Sequence, residues 1–454
     1  MNITIVGAGI SGLSAAFELQ KSGFEVTLLE GSERLGGKIL TSEIEGFNID
    51  AGPDSFLTRD PEMRDLCFTL GVGNELVPPT GKPAKVWVDG EMHSLPKRHF
   101  LGVPLDLDEL EELSLLTEEG IKRAKLDLTL PDNKPTEGET VGSLIRRRLG
   151  DEVMDRLVGP LLGGINAGNA DDLCLESGVP QLFSASQGDF SLVRSIQAFL
   201  KNQNRDPASP VFLTHPNGLQ TVVKRLEQEI DSNIQRNERV TSVEMSDNSI
   251  VIKGSQEYQT DAVILCIPAF SAAKLLHDSC PNTSNLLADI QYASMAFITF
   301  AFNKNDVPQF NGSGFLVGRD ENLLTTACSW TSEKWAHLKN DTTVFLRLSV
   351  GRFGDMEALD MEDTSLIEKL NGELTTLTGI KADPLAIRVS RWPNSFPQYE
   401  LGHGEKVKAI RQQAALEMPG MFLAGSPFKG IGLSACIRDG IDQARKAKNF
   451  LMQR

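Results

Sequence analysis

The sequence predicts an α/β protein (α+β overall), with one Rossmann-like sheet assembled from three separated segments and two insertions between them. Three observations predict it. A short apolar strand at the N-terminus runs into a G-x-G-x-x-G turn and a helix. A second strand–helix junction punctuated by glycines lies near the C-terminus. Between them, β-type runs at 233–243, 250–253 and 262–268 supply further strands for the same sheet. A chain of 454 residues is also too long for one domain at roughly 150 residues each, so the intervening residues form something else.

Asn2–Val6 is an apolar run ending in Gly7-Ala8-Gly9-Ile10-Ser11-Gly12, after which Leu13, Ala16 and Phe17 recur at helical spacing. Gly23 ends that helix, and 25–30 is a second strand closing on an acid, Glu30. Gly7 permits the tight turn, Gly9 lets backbone approach a pyrophosphate, and Gly12 lets helix and strand pack closely. The helix start offers free N–H groups and a positive dipole end to that anion. Glu30 can accept hydrogen bonds from ribose hydroxyls. Both strands, the helix and the acid together read as a dinucleotide site. The chain continues Gly31-Ser32-Glu33-Arg34-Leu35-Gly36-Gly37-Lys38. This E-x-x-x-R-x-G-G string resembles the extended fingerprint of FAD-dependent amine oxidases and their relatives. Arg34 can reach a phosphate there, and Gly36-Gly37 lets backbone pass against the cofactor. A P-loop is excluded, because Ile39 follows Gly37-Lys38 where Ser or Thr would stand.

At the far end, Met421-Phe422-Leu423-Ala424 reads as a strand. Gly425 follows, then Lys429-Gly430-Ile431-Gly432 and an amphipathic segment from Ser434 through Ala444. Such a junction can place N–H groups at a flavin's pyrimidine carbonyl and a ribityl phosphate. Val240, in the middle segment, is placed to touch the adenine side. The expected organisation is FAD-binding parts at 1–77, 208–270 and 388–454. A helical insertion at 78–207 lines the pocket, and an antiparallel-sheet substrate domain occupies 271–387. Within the insertion, the acidic run 106–112 and the triplet Arg146-Arg147-Arg148 read as solvated helix faces. No internal repeat or low-complexity tract is evident.

Composition removes whole classes of function. Hydrophobic residues at 40% and charged residues at 23% match ordinary globular usage, against disorder, collagen or a disulfide scaffold. The balance of 45 Lys+Arg against 61 Asp+Glu gives a net charge of −16, a field that repels nucleic acid and anionic lipid. The six cysteines include no C-x-x-C pair, and H-E-x-x-H is absent, so reduced thiols and no metal site are expected. G-x-S-x-G is missing as well. The N-terminus lacks a basic n-region and a cleavage site, so no signal peptide is expected. The apolar stretches 262–270 and 296–302 fall short of the roughly 20 residues a spanning helix needs. A cytoplasmic location follows as the expectation, with weak peripheral membrane contact and the oligomeric state left open.

Further strings resemble the porphyrinogen oxidase family over nearly the whole chain, most of all its Gram-positive type. They are Ala51-Gly52-Pro53-Asp54-Ser55-Phe56-Leu57, Leu95-Pro96-Lys97 with Gly102-Val103-Pro104, and Gly150-Asp151-Glu152-Val153. Pro160-Leu161-Leu162 with Gly164-Ile165 and Ala167-Gly168-Asn169, and Ala327-Cys328-Ser329-Trp330-Thr331, belong with them. Arg391-Trp392-Pro393, Pro397-Gln398-Tyr399 and Gly402-His403 complete the match. The resemblance implies FAD held by Gly7, Ala8, Gly9, Ile10, Ser11, Gly12, Glu30, Gly31, Arg34, Gly37 and Lys38. Gly52, Pro53, Asp54, Ser55, Val240, Trp392, Gly425, Ile431, Gly432 and Leu433 would complete that site. It implies a tetrapyrrole pocket in which a meso methylene of a porphyrinogen loses hydride to the flavin. Electrons then pass to O2 to give hydrogen peroxide, and three such cycles with tautomerisation give the porphyrin. Coproporphyrinogen III is the preferred substrate. Protoporphyrinogen IX, or a catalytically silent FAD- and porphyrin-binding relative, stands as the alternative.

An amine oxidase or desaturase on the same cofactor domain is the enzyme rival. It usually needs an aromatic cage and a lysine near the flavin, for which the chain offers no convincing pair. Ile165, Asn166 and Gly168 are the candidates beside the reacting carbon, where the Gly168 carbonyl could face pyrrole N–H groups. Asn166 stands where the family usually carries an aromatic, and Ala84 where some members carry a propionate-binding arginine. Arg59, Lys85, Lys97 and Arg98 are the candidate propionate partners. A transient contact with the next haem-pathway enzyme is a further implied partnership.

Overall fold

The computed structural model describes residues 2–131, 134–136, 138–203, 209–230, 233–246 and 249–453. The boundary drawn at 207/208 lies outside them. Five parallel strands form the nucleotide sheet, in the order Asn233–Gln235, Glu25–Leu29, Asn2–Val6, Ala262–Leu265, Met421–Leu423. Parallel strands are covered on both faces and read as continuous apolar runs. Ala262–Leu265 is accordingly buried at every position. The N-terminal helix Ile10–Lys21 and the C-terminal helix Leu433–Met452 lie side by side on this sheet. Their backbones approach so closely that a Cβ on Gly440 would sit 2.3 Å from the Ser11 carbonyl oxygen. The C-terminal helix runs well past the segment 434–444 read from the pattern.

The run 250–253 does not join this sheet. Ser242–Ser246, Ser249–Lys253 and Glu257–Thr260 pair with one another as a separate antiparallel sheet. The connections between them are too short for parallel pairing, which needs a crossover of a dozen or more residues.

The second large sheet has seven strands, in the order Ala386–Pro397, Tyr292–Asn303, Thr343–Val350, Thr325–Ser329, Gly314–Val317, Ala84–Val88, Glu91–Ser94. All its pairings are antiparallel except that of Gly314–Val317 with Ala84–Val88. The helix Asp363–Thr378 packs on it through buried Leu366, Leu370, Leu374 and Leu377. Two of these strands come from the stretch read as helical, 78–207. Ala84–Val88 and Glu91–Ser94 are joined by Asp89-Gly90, both with positive φ (54° and 75°), the hairpin turn that Asp-Gly favours. At the other end, the sheet extends past 387 through Ala386–Pro397, which carries Trp392.

The rest of the insertion is helical, and its core corrects the reading of the arginine triplet. Arg148 is 2% exposed and its Nε donates to Asp127 Oδ1 at 2.7 Å. Arg147 pairs with Glu139, and Arg146 with Asp151, Asp155 and Asp171. The triplet is a brace of ion pairs, buried at Arg148 and half-buried at Arg146 and Arg147, and Asp127 and Asp171 reach it from more than 20 residues away. All six cysteines are free and five are buried. Among the described residues no helix is long and apolar enough to cross a membrane.

Candidate functional site

The glycine turn is built as its spacing requires. Gly7 holds φ +99°, and a Cβ on Gly12 would lie 1.9 Å from the Gly7 carbonyl oxygen. Gly9 caps the N-terminal helix without any side-chain hydrogen bond, and a Cβ there would meet nothing within 4 Å. Gly432 repeats both features at the start of the C-terminal helix. Two uncapped helix starts, each with an open glycine, thus sit on neighbouring helices and offer N–H groups to anions.

Glu30 closes one end of this cradle. Its Oε2 accepts the Ala8 N–H at 2.8 Å, and its Oε1 accepts the Ser32 N–H at 2.9 Å. The loop carrying Val240 runs beside it: Glu30 N–H donates to the Gln235 carbonyl and Glu238 N–H to the Glu30 carbonyl, each at 2.8 Å. A Cβ on Gly31 would lie 3.8 Å from the Arg239 Cα, an ordinary contact, and Val240 is half-buried against the neighbouring core. Arg34, expected to reach a phosphate, also braces its own loop. Its guanidinium donates to the carbonyls of Leu35, Gly37 and Ile39 and fixes the loop.

Trp392 Nε1 donates to the Ala51 carbonyl at 2.8 Å, and Lys38 Nζ donates to the Ser395 carbonyl. A Cβ on Gly52 would lie 1.9 Å from the Lys38 carbonyl oxygen. The segments at 37–40, 51–55 and 391–396 therefore converge. Asp54 serves this junction as an anion. Its carboxylate meets Lys334 Nζ at 2.7 Å and Arg347 Nη1 at 3.9 Å. Burial alone would raise its pKa, but Lys334, Arg347 and the Ser55 hydroxyl hold it well below the usual carboxylate range. Pro53 and Ser55 follow Gly52 in the same turn, and Ser55 Oγ donates to Asp54 Oδ1 at 2.9 Å. Asp50, buried next door, is pushed up to about 7 by burial and by the Asp54 charge, against the Thr41 hydroxyl, the Leu219 N–H and Arg347.

Two residues to which the sequence reading gave no role in the site, Tyr399 and Asp439, hold the C-terminal loop. Tyr399 Oη accepts the Gly430 N–H at 2.7 Å and donates to the Ser426 carbonyl. Asp439, 1% exposed, accepts the Gly425 N–H at 3.0 Å and pairs with Arg411. These two side chains set the backbone through Gly425, Ile431, Gly432 and Leu433.

A cleft of about 830 Å³ of empty space, counting the part open to solvent, lies between the helical insertion and the seven-stranded sheet. Gly163, Gly164 and Gly168 form one wall, and Val317, Arg319 and Arg352 the other. Ala167 takes a left-handed conformation (φ 54°) and its carbonyl accepts the Phe353 N–H at 2.7 Å, which ties the two walls together. The Gly168 carbonyl accepts Arg319 Nη1 at 3.4 Å. Ile165, 45% exposed, and Asn166, whose carbonyl accepts Gln398 Nε2 at 3.2 Å, border this wall but do not line the cleft.

The four candidate propionate cations do not line the cleft either. Lys97 and Arg98 are exposed, Lys85 is half-buried in the strand Ala84–Val88, and Arg59 lies 3.6 Å from Asp60. The cleft cations are Arg146, Arg319 and Arg352. Only the assembled sheet identifies the last two as neighbours. Each lies two residues beyond a strand end, Val317 and Val350, and those strands flank Thr325–Ser329, antiparallel to both. Strands two apart in an antiparallel sheet point the same way, so both ends reach one edge.

The paired helix starts, the acid at the end of the second strand and the buried bracing of the loops between them define a flavin-dependent oxidoreductase. The family of flavin containing amine oxidoreductases matches residues 10–447, and the chain belongs to it. Among its relatives is the coproporphyrinogen III oxidase of Bacillus subtilis (strain 168), 32% identical over 99% of this chain and 98% of that protein. The coproporphyrinogen III oxidase of Staphylococcus aureus is 29% identical over 97% of both chains. A solved structure from Exiguobacterium sp. 255-15, provisionally assigned as a protoporphyrinogen oxidase, superposes with a TM-score of 0.89 at 30% identity. It covers 100% of this chain and 99% of its own.

Proposed function

We propose that this protein oxidises a porphyrinogen, coproporphyrinogen III, to the porphyrin, with FAD as cofactor and O2 as electron acceptor. The observation that carries the reading is the match to a coproporphyrinogen III oxidase over 99% of this chain and 98% of that protein. The cradle fits the cofactor. Gly9 and Gly432 leave room for phosphate oxygens, Glu30 is poised for ribose hydroxyls, and Lys38 and Trp392 brace the middle. FAD, once bound, supplies the two-electron acceptor that takes hydride from the substrate methylene and delivers electrons to O2 as hydrogen peroxide. The chain's own part is positional. Gly168 presents a carbonyl to pyrrole N–H groups, and the tie between Ala167 and Phe353 holds the two walls of the cleft together around the ring. The three sheet segments act as one cofactor domain, with the helical insertion and the seven-stranded sheet as the substrate's two jaws. Transfer of product to the next haem-pathway enzyme through a transient contact accompanies this reading.

Aerobic incubation with coproporphyrinogen III and, separately, protoporphyrinogen IX tests it, with porphyrin fluorescence corrected for autoxidation. Coproporphyrinogen III is expected to be oxidised faster, with peroxide formed in step. Oxidation of neither above the blank overturns the proposal, and a faster rate with protoporphyrinogen IX transfers the assignment to that substrate. Purified protein without flavin absorbance would remove every flavin reading.

A further inference from the structure

Arg319 and Arg352 are neighbours without an ion-pair partner, although Asp320 lines the same cleft and Asp155 and Asp171 line it beside Arg146. Among the described residues no carboxylate lies within ion-pair distance of either guanidinium, whereas Arg146 on the same cleft meets three. Their hydrogen bonds go to carbonyls alone. Arg319 Nη1 reaches Gly168, while Arg352 Nη1 reaches Arg319 at 2.9 Å and Nη2 reaches Gly318 at 3.4 Å. Asp320 and Asp355 are close enough to be felt by Arg352 but do not pair with it. Arg352 is half-buried, and burial together with the charge of Arg319 lowers its affinity for its proton. Two adjacent cations, one partly desolvated, repel each other in a protein whose net charge is −16. Asp320 and Asp355 offset part of that repulsion without pairing, which leaves both guanidinium forks open to anions from outside the chain. The planar forks of two arginines match carboxylates, each of which can take two parallel N–H bonds.

Building on the function proposed above, we infer that Arg319 and Arg352 are the receptor for two propionates on the ring edge that enters the cleft, and so select among tetrapyrroles by carboxylate number. Coproporphyrinogen III, with four propionates, presents such an edge in more orientations than protoporphyrinogen IX, with two. Both arginines are specificity residues and take no part in the redox step.

The test measures binding of the oxidised ligands, which needs no turnover. Coproporphyrin III and its tetramethyl ester are titrated by fluorescence against the FAD-loaded wild type, Arg319→Gln, Arg352→Gln and Arg352→Lys. Each Gln variant is expected to weaken coproporphyrin III binding about 10- to 100-fold, as loss of a charged hydrogen bond does, and to leave the ester unaffected. Arg352→Lys is expected to recover part of the loss. In turnover the deficit falls on KM rather than kcat. Unchanged melting temperatures exclude a folding defect. Wild-type affinity in both Gln variants, or an equal loss for the ester, overturns the inference while leaving porphyrinogen oxidation standing. Failure of the wild type to oxidise either porphyrinogen strikes the underlying reading and the receptor with it.

Discussion

Gly9 and Gly12 stand three residues apart in one turn and have opposite surroundings. A Cβ at Gly12 would press into the Gly7 carbonyl at 1.9 Å, whereas one at Gly9 enters open space. Gly12→Ala is therefore expected to destabilise the protein by about 1–3 kcal/mol, as overpacking does. Gly9→Ala is expected to fold with nearly wild-type stability and to lose FAD affinity, because its methyl occupies the space kept for phosphate. Thermal melts of the flavin-free proteins and FAD titrations separate the two effects. Equal melting loss in both variants would show that Gly9 is held by packing. The motif's spacing disclosed this cradle in the sequence, since a close approach between residues five apart is a local matter.

Asp50 gives the residue scale its pH dependence. Its carboxyl lies at about 7 against an ordinary 3.8, so the folded protein holds a proton that the unfolded chain has released. Its contribution to stability is full below about pH 4 and declines as pH rises to about 7. Asp54, held low, titrates below that window and acts in the opposite direction as the medium becomes more acid. Urea midpoints between pH 4.5 and 7.5 should therefore favour Asp50→Asn over wild type increasingly as pH rises. A constant difference between the two across that range would refute the assignment.

At the scale of elements, Asp127 and Arg148 join parts of the helical insertion that are far apart in sequence. Asp127 accepts the N–H groups of Leu192 and Val193 and the Ser191 hydroxyl, and so caps the helix Leu192–Asn202. Arg148, from the helix Val141–Leu149, neutralises it from the other side. Arg148→Ala leaves a buried carboxylate unpaired and is expected to cost about 3–5 kcal/mol in chemical unfolding. Truncating Lys122, whose partner Glu118 is exposed, should cost under about 1 kcal/mol. Comparable losses in the two variants would contradict the burial argument. The triplet Arg146-Arg147-Arg148 could not be read this way beforehand, because charge in a helical pattern ordinarily faces water and the carboxylates arrive from other turns. The Asp89-Gly90 hairpin is missed for a different reason: the stretch reads as helical as a whole, although a two-residue Asp-Gly turn carries its own geometry. The fate of 250–253 depended on connection length, a weaker signal than strand character.

Across the whole molecule the net charge of −16 acts on a substrate that bears carboxylates itself. Composition disclosed that opposition, but the location of the relieving cations needed the sheet. Arg319 and Arg352 are 33 residues apart and meet only because two like-directed strands end on one edge. Arg59, Lys85, Lys97 and Arg98 have no comparable convergence, and sequence alone gives no reason to rank one cation above another. The two fields differ in reach. The repulsion of the whole surface extends over a Debye length of about 30 Å at 0.01 M salt and about 8 Å at 0.15 M. Direct guanidinium–carboxylate contacts in a half-buried cleft are screened far less. Raising salt between those limits should thus weaken the repulsion before it weakens the receptor. We expect kcat/KM for coproporphyrinogen III to rise severalfold over that interval, with the gain in association rate rather than in kcat. A porphyrinogen whose propionates are esterified should show no such rise. A steady fall in kcat/KM with salt would mean that the cleft arginines already dominate at long range, and that the acidic surface is turned away from the path by which substrate enters.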